Sequence, residues 1–414
     1  MPATHVYVIG AGLAGLAAAV RLAGRGVPVT LIEAAAQAGG RCRSYFDASL
    51  GMTIDNGNHL VLSGNHATYA YLQAIGSQDR LRGPQEASFD FYDVRDGARW
   101  TIRPNPGPIA WWAFSKARRV PGTSAVDYLA LMSLIGPQGT RRLCDAIACK
   151  GPLWERLIEP LMLAALNTAP ATGSAALAAA VVRETLALGG RAYRPRIADP
   201  SLEAAFIAPA LAYLERHGAT IRLGQRLQAI GVADGRASEL KLGGETIVLA
   251  PRDAVVLATP PWITQDLLPG TPAPDAFAAI VNAHFRIAPP ADAPRMVGVI
   301  GGAAQWLFAF DDRISVTVSG ADAIVDKPRQ ELAKMLWRDV AKVYGLQGPP
   351  PPWQIVKEKR ATFAATPEQN ARRPRARTRL ANLVLAGDWT DTGLPATIEG
   401  AVRSGDRAAQ LVSA

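Results

Sequence analysis

Residues 5–25 leave the chain few ways to fold. His5-Val6-Tyr7-Val8-Ile9 is a short apolar run suited to a strand, Gly10-Ala11-Gly12-Leu13-Ala14-Gly15 follows it, and Leu16 to Arg25 reads as a helix. G-x-G-x-x-G between strand and helix is the context in which this spacing binds a dinucleotide. Gly10 permits the tight turn, Gly12 lets the backbone approach a pyrophosphate, and Gly15 lets helix lie close on strand. The anion would then sit on the free N–H groups of a helix N-terminus. A second strand, Val29-Thr30-Leu31-Ile32, ends in Glu33, whose carboxylate suits a ribose diol, with Ala34 beside it.

Gly39-Gly40-Arg41-Cys42-Arg43 adds a second flexible turn carrying two guanidinium groups. An NAD enzyme does not need this element. Arginine offers phosphate oxygens a rigid fork of donors, so Arg41 and Arg43 point to FAD and its diphosphate. Near the other end, Asn382-Leu383-Val384-Leu385-Ala386-Gly387-Asp388 reads as a buried strand closing on an acid, and a helix is expected from Ala396. Ile398, Ala401, Val402 and Gly405 recur at the spacing of one buried helix face. The dipole at that helix start would stabilise negative charge gathering on a reduced flavin ring. Both ends of the chain are therefore expected to meet at one cofactor.

Several segments beyond these resemble a known family, the FAD-dependent amine oxidase and carotenoid desaturase superfamily, and within it the squalene-associated hydroxysqualene dehydroxylases. The likeness spans essentially the whole chain. It is carried by Asp55-Asn56-Gly57-Asn58-His59, Leu166-Asn167-Thr168, Lys359-Arg360-Ala361-Thr362-Phe363 and, above all, Ala386 to Gly400. Position 58 departs from the pattern, because the family more often carries glutamine there. The resemblance implies cofactor contacts from Asn56, Gly57, Asn58 and His59, from Leu227 beside the adenine, from Thr259 and Pro260 at a strand end, and from Gly387, Asp388, Pro395, Ala396, Thr397, Ile398 and Ala401.

It also implies an α/β fold with a discontinuous Rossmann-like FAD-binding domain (1–85, 200–265 and 356–414) and a second α+β substrate domain (86–199 and 266–355). The implied reaction is reductive dehydroxylation of hydroxysqualene to squalene. A carotenoid-type desaturase or amine oxidase, or a non-catalytic isoprenoid carrier, are the alternatives on the same scaffold. His59, as a near-neutral proton donor, and Glu358 or Lys359, on a strand returning to the flavin, are the candidate catalytic residues. Neighbours on a strand face opposite ways, so at most one of the last two can face the ring.

Composition narrows the partners. Of 44 basic residues 36 are arginine, and the net charge is +9, which favours anionic surfaces. No zinc spacing, RNA-binding signature or basic stretch interleaved with aromatics is present, so nucleic acid is not expected. The five histidines are scattered and no metal set is evident. Trp111, Trp112, Phe114, Trp154, Phe308 and Phe310 are candidates to line a channel for a long isoprenoid, with Trp111-Trp112, Lys116, Arg118 and Arg119 as a peripheral contact with the inner face of a bacterial membrane. Cys42, Cys144 and Cys149 show no paired spacing, so free thiols and a cytoplasmic setting are expected. Pro160 to Val182 is uncharged but too interrupted to span a bilayer. With one dinucleotide fingerprint only, electrons for a net reduction must come from an unidentified donor.

Along the remainder, a hairpin is expected at Phe89–Val94 and Arg99–Ile102 about Asp96-Gly97, largely helical structure from 104 to 196, an amphipathic helix from Leu202 to His217, strands near 277–287, 296–300, 306–310 and 314–318, and a helix from Arg329 to Tyr344.

Overall fold

A computed structural model describes residues 3–413. Its first layer is a five-stranded parallel sheet, ordered Thr220–Arg222, Val29–Ile32, His5–Ile9, Asp253–Leu257, Leu383–Leu385. Val29–Ile32 and Asp253–Leu257 are buried at every position, as apolar runs covered on both faces must be. The helix Leu13–Ala23 packs against the terminal helix Ile398–Val412, and the Ala3 amide donates to the Val412 carbonyl at 3.2 Å. The two chain ends therefore share one layer.

The second layer is a seven-stranded mixed sheet, ordered Trp353–Phe363, Phe277–Phe285, Ile314–Ser319, Trp306–Ala309, Met296–Ile300, Phe89–Asp93, Arg99–Ile102. Strand alternation sorts its residues. Val297, Val299 and Leu307 join the cluster beneath the helix Arg329–Tyr344, while Met296, Ile300, Trp306 and Phe308 join the core on the opposite face. The expected hairpin is present, turning through Gly97 at φ +74°. A three-stranded antiparallel sheet, Leu227–Ala233, Arg236–Leu242 and Glu245–Val248, lies beside the parallel layer.

Three expectations need correcting. Residues 104–196 are far less helical than their apolar content suggests: beyond Glu159–Leu166 and Ala175–Glu184 they form short 3-10, π and α turns within irregular chain. Pro104, Pro106, Pro108, Pro121, Pro137 and Pro152 interrupt propagation there. The C-terminal helix begins at Ile398 rather than Ala396, because the Thr397 hydroxyl caps it by accepting from the Gly400 amide at 3.0 Å. Cys144 and Cys149 are disulfide-bonded. The short helical turn Leu143–Ala146 reverses the chain and brings their Cα atoms within 5.5 Å, so the cysteine argument for a reducing compartment falls. Cys42 alone is free, and burial pushes its thiol up to about 12. Among the described residues no helix is long and apolar enough to cross a membrane.

Buried histidine makes stability depend on pH. His284 is fully buried, its Nδ1 2.8 Å from the Ser315 hydroxyl and its Nε2 3.0 Å from the Asp55 carbonyl. Burial, with the Arg313 charge second, pulls it down to about 3. The folded form thus resists a proton that the unfolded chain takes up near its ordinary 6.5. Its stabilisation is complete above that pH and is lost as pH falls toward 3, by up to about 1.4 kcal/mol per unit. Thermal unfolding between pH 7.5 and 5 should show this slope, flattened in His284→Gln; an unchanged slope would refute the assignment.

Candidate functional site

Between the two layers lies a cavity of about 1010 Å³. Its floor at one end is the glycine turn. Gly10 has φ +104°, and a Cβ there would stand 2.6 Å from the Ala258 carbonyl, whereas a Cβ on Gly12 would meet nothing within 4 Å. Gly12 therefore leaves open exactly the approach that a phosphate needs, at the start of the helix Leu13–Ala23. Glu33 braces the turn from beside it, its Oε2 accepting from the Ala11 amide at 2.7 Å and its Oε1 from the Ala35 amide at 2.8 Å.

Across the cavity, Arg41 joins the two ends of the sequence. Its Nη2 donates to Asp388 Oδ1 at 2.7 Å and its Nη1 to the Ala361 carbonyl at 2.6 Å. The Asp388 carboxylate is only 8% exposed and the Arg41 side chain 43%. Arg43 instead turns back on its own loop, donating to the Gly40 carbonyl at 2.8 Å. The paired guanidinium fork expected from sequence is thus divided: one arginine clasps the far strand end, the other sits at the rim.

Of the residues expected around a cofactor, Gly10, Gly12, Leu13, Ala14, Glu33, Ala34, Gly39, Gly40, Arg41, Arg43, Asn56, Gly57, Asn58, His59, Leu227, Thr259, Pro260, Gly387, Asp388, Pro395, Ala396, Thr397, Ile398 and Ala401 line this one cavity. Ala11 and Gly15 do not. Ala11 contributes its amide to Glu33, and Gly15 is a packing residue, since a Cβ there would lie 1.8 Å from the Gly10 carbonyl oxygen.

The three candidate catalytic residues fare differently. Glu358 lines the cavity, 3.5 Å from Asn56 Nδ2. Lys359 does not: it faces away and pairs with Asp326 at 2.7 Å, both side chains well exposed. This corrects its placement by the ring, and strand alternation is the reason. His59 lines the cavity, but burial, with the Arg41 charge second, pulls its imidazole down to about 4. That shift disfavours the protonated imidazole and runs against the expectation of a near-neutral proton donor.

The aromatic candidates also divide. Trp112 and Phe308 line the cavity, Trp154 is buried in the surrounding core, and Phe310 lies under the Arg313 guanidinium at 3.8 Å. Trp111 and Phe114 are 64% and 69% exposed. Beyond the polar end the walls are apolar, supplied by residues such as Leu157, Met162, Met296 and Trp306. They continue to Met132 and Ile135, which both line the cavity and reach the surface.

Sequence reasoning missed several residues. Arg373 sits in an arginine-rich stretch that resembles a solvated loop, yet it is 6% exposed and donates to the carbonyls of Asp388, Trp389 and Thr390. Burial pulls it down to about 10. Glu399, 3% exposed, accepts from the amides of Ala67 and Thr68, from the Thr68 hydroxyl, and from Arg403. The Leu166–Thr168 segment is a clip. Asn167, at φ +49°, accepts from the Gly320 amide and donates to the Thr362 hydroxyl, while the Thr168 hydroxyl accepts from the Ala365 amide.

Comparison with known proteins is consistent with this geometry. Residues 13–413 match the family described as flavin containing amine oxidoreductase. The chain is 55% identical to a hydroxysqualene dehydroxylase of Rhodopseudomonas palustris, covering 99% of this chain and 98% of that one. It is 51% identical to a hydroxysqualene dehydroxylase of Sinorhizobium fredii, with 98% of each covered. A solved structure of a putrescine oxidase variant superposes with a TM-score of 0.72 at 17% identity, over 99% of this chain and 98% of that one, and at that identity it speaks to the fold alone.

Proposed function

The chain belongs to the flavin containing amine oxidoreductase family and, within it, to the hydroxysqualene dehydroxylases, and from that premise we propose that it binds FAD and converts hydroxysqualene to squalene. The observation that carries the reading is the continuity of one cavity, from the phosphate-binding turn at Gly10–Gly15 to an apolar mouth at Met132 and Ile135. Its polar end offers the Gly12 turn, Glu33 for the ribose and the capped helix start at Thr397–Ile398, the parts that a dinucleotide with a ring needing anion stabilisation would use. Its apolar length suits a thirty-carbon chain, whose burial contributes about 0.8 kcal/mol per methylene.

When bound and reduced, FAD supplies a hydride. The substrate loses its hydroxyl oxygen as water, with one proton taken up, and gains a hydrogen at carbon. What this chain contributes is exclusion of water by apolar walls and the face of Phe308, which suits a carbon that carries positive charge as oxygen departs. His59, whose protonated form is disfavoured, lies at the polar end beside the Cys42 thiol. The reductant is a separate donor, a redox partner or nicotinamide. The two large sheets support dividing the chain into cofactor segments 1–85, 200–265 and 356–414 and substrate segments 86–199 and 266–355, with the strand Trp353–Phe363 crossing the seam and the strand Pro195–Ala198 pairing across it with Leu60–Leu62 and Leu81–Arg82.

Anaerobic mixing of the reduced holoprotein with hydroxysqualene should give squalene with stoichiometric reappearance of oxidised flavin absorbance. No product and no reoxidation would refute the reading in favour of a desaturase or a carrier.

The mouth supports a membrane contact. Ile109, Trp111, Phe114, Val126, Leu129 and Met132 are each at least 60% exposed, an unusual concentration of exposed apolar side chains. Lys116, Arg118 and Arg119 lie in the same segment. Trp112 belongs to the cavity rather than to this rim. Reversing the three charges to glutamate should weaken binding to anionic liposomes at least about tenfold, since each basic side chain near such a surface is worth about 1 kcal/mol. Flavin content should be unchanged, and unaltered liposome binding would remove the membrane proposal.

A further inference from the structure

One hydrogen-bond chain on the cavity floor has a direction fixed by its own chemistry. Asn282 Nδ2 donates to the Asn56 carbonyl at 3.3 Å, which leaves Asn282 Oδ1 as an acceptor. The Thr317 hydroxyl donates to that oxygen at 2.7 Å. Having spent its one proton, the hydroxyl accepts from Asn58 Nδ2 at 3.1 Å. The Asn58 amide can therefore sit only one way round, with Oδ1 turned out of the chain, and that oxygen is buried with no partner in the protein.

Trp306 is the direct cross-strand partner of Thr317, so the two side chains share one sheet face on the order of 5 Å apart. It is 5% exposed, and its Nε1 also has no partner. Asn58, Thr317 and Trp306 all line the cavity. A buried acceptor and a buried donor left unpaired are both costly, and here they belong to two side chains that line one largely apolar cavity. An alcohol is the simplest group that answers both, with one O–H to donate and lone pairs to accept. Neither protein group is charged, so neither compensates an ammonium or a carboxylate.

We propose that Asn58 and Trp306 form the subsite for the substrate's hydroxyl, a proposal that rests on the dehydroxylation reading above. Asn58 Oδ1 accepts the alcohol O–H, and Trp306 Nε1 donates to its oxygen. As the C–O bond breaks, the oxygen would leave with that bond's electron pair and take one proton, supplied ultimately by solvent, to form water, and reduced FAD, when bound, would supply the hydride whose pair forms the new C–H bond. The Trp306 hydrogen bond strengthens as charge gathers on the departing oxygen. Squalene, lacking the hydroxyl, leaves both groups unpaired, so the same subsite favours substrate over product.

The test is equilibrium binding of hydroxysqualene and of squalene to the oxidised holoprotein, followed by perturbation of the flavin spectrum. The unaltered protein should prefer hydroxysqualene by about tenfold or more, as a site that hydrogen-bonds a hydroxyl discriminates against the analogue lacking it. Asn58→Leu should erase most of that preference while squalene affinity holds, and Trp306→Phe should erase part of it with flavin content unchanged. Preference intact in both variants would overturn the subsite and leave the dehydroxylase reading standing. Flavin loss in Asn58→Leu with full preference in Trp306→Phe would assign the acceptor to the cofactor and equally overturn it. Failure of the unaltered protein to bind hydroxysqualene would overturn subsite and reading together.

Discussion

Asp388→Ala should yield a folded protein that purifies almost free of flavin. The carboxylate is nearly buried and holds Arg41 at 2.7 Å, so its removal strands a guanidinium between His59 and the Ala361 carbonyl. A hydrogen bond to a charged partner is worth about 1.5–3 kcal/mol, which corresponds to roughly tenfold or more in occupancy. The loss should exceed that of an ordinary contact, because Arg41 and Asp388 are far apart in sequence and their bond joins two walls of the cavity. Asp388→Asn, which keeps an acceptor without the charge, should retain an intermediate amount. Flavin absorbance per protein, alongside far-ultraviolet circular dichroism, is the measurement. Full occupancy in the alanine variant would contradict the role given to the clasp.

Gly405→Ala should lower both thermal stability and flavin retention. A Cβ at this position would stand 2.2 Å from the Ala14 carbonyl and 2.9 Å from both Ala17 Cβ and the Ala18 amide, so the terminal helix must back away from Leu13–Ala23. Overpacking of this kind costs about 1–3 kcal/mol, or several degrees in Tm for a chain of this size. The displacement also pulls on Ser404, whose hydroxyl accepts from the Gly387 amide at 2.8 Å and so steadies the turn carrying Asp388. Gly12→Ala is the contrast. Its added methyl meets nothing within 4 Å of protein, so apo stability should hold while flavin binding drops. Equal melting temperatures for Gly405→Ala and the unaltered protein would remove the helix contact from the account.

The parallel layer was readable from sequence because local signals agreed there. Apolar runs bounded by glycine and acid, with a 3.6-residue stripe in the last helix, specify strand, turn and helix without reference to distant residues. Residues 104–196 were not, since their apolar content reports burial while their prolines, spread through the stretch, prevent the helices that burial alone suggests. At the site, the glycine turn and Asp388 carried backbone signatures. Arg373 carried none, because a buried arginine that binds carbonyls has the same neighbours in sequence as a solvated one. The disulfide escaped for a related reason: whether two cysteines five residues apart meet depends on a chain reversal that composition does not encode. The orientation of the Asn58 amide is further still from sequence, set by the side chains of Asn282 and Thr317 and the backbone carbonyl of Asn56.

The central sheet takes its strands from residues 5–9, 29–32, 220–222, 253–257 and 383–385, and helix 398–412 lies against helix 13–23. A chain leaving the ribosome therefore presents its phosphate turn long before the edge strand, the Asp388 turn and the covering helix. Contacts so distant in sequence are slow to form, and a nascent N-terminal unit waits with its apolar helix face bare. A cofactor held at both Gly12 and Asp388 consequently waits for residues 383–412, and every premature stop upstream of residue 388 is a product with half a binding site.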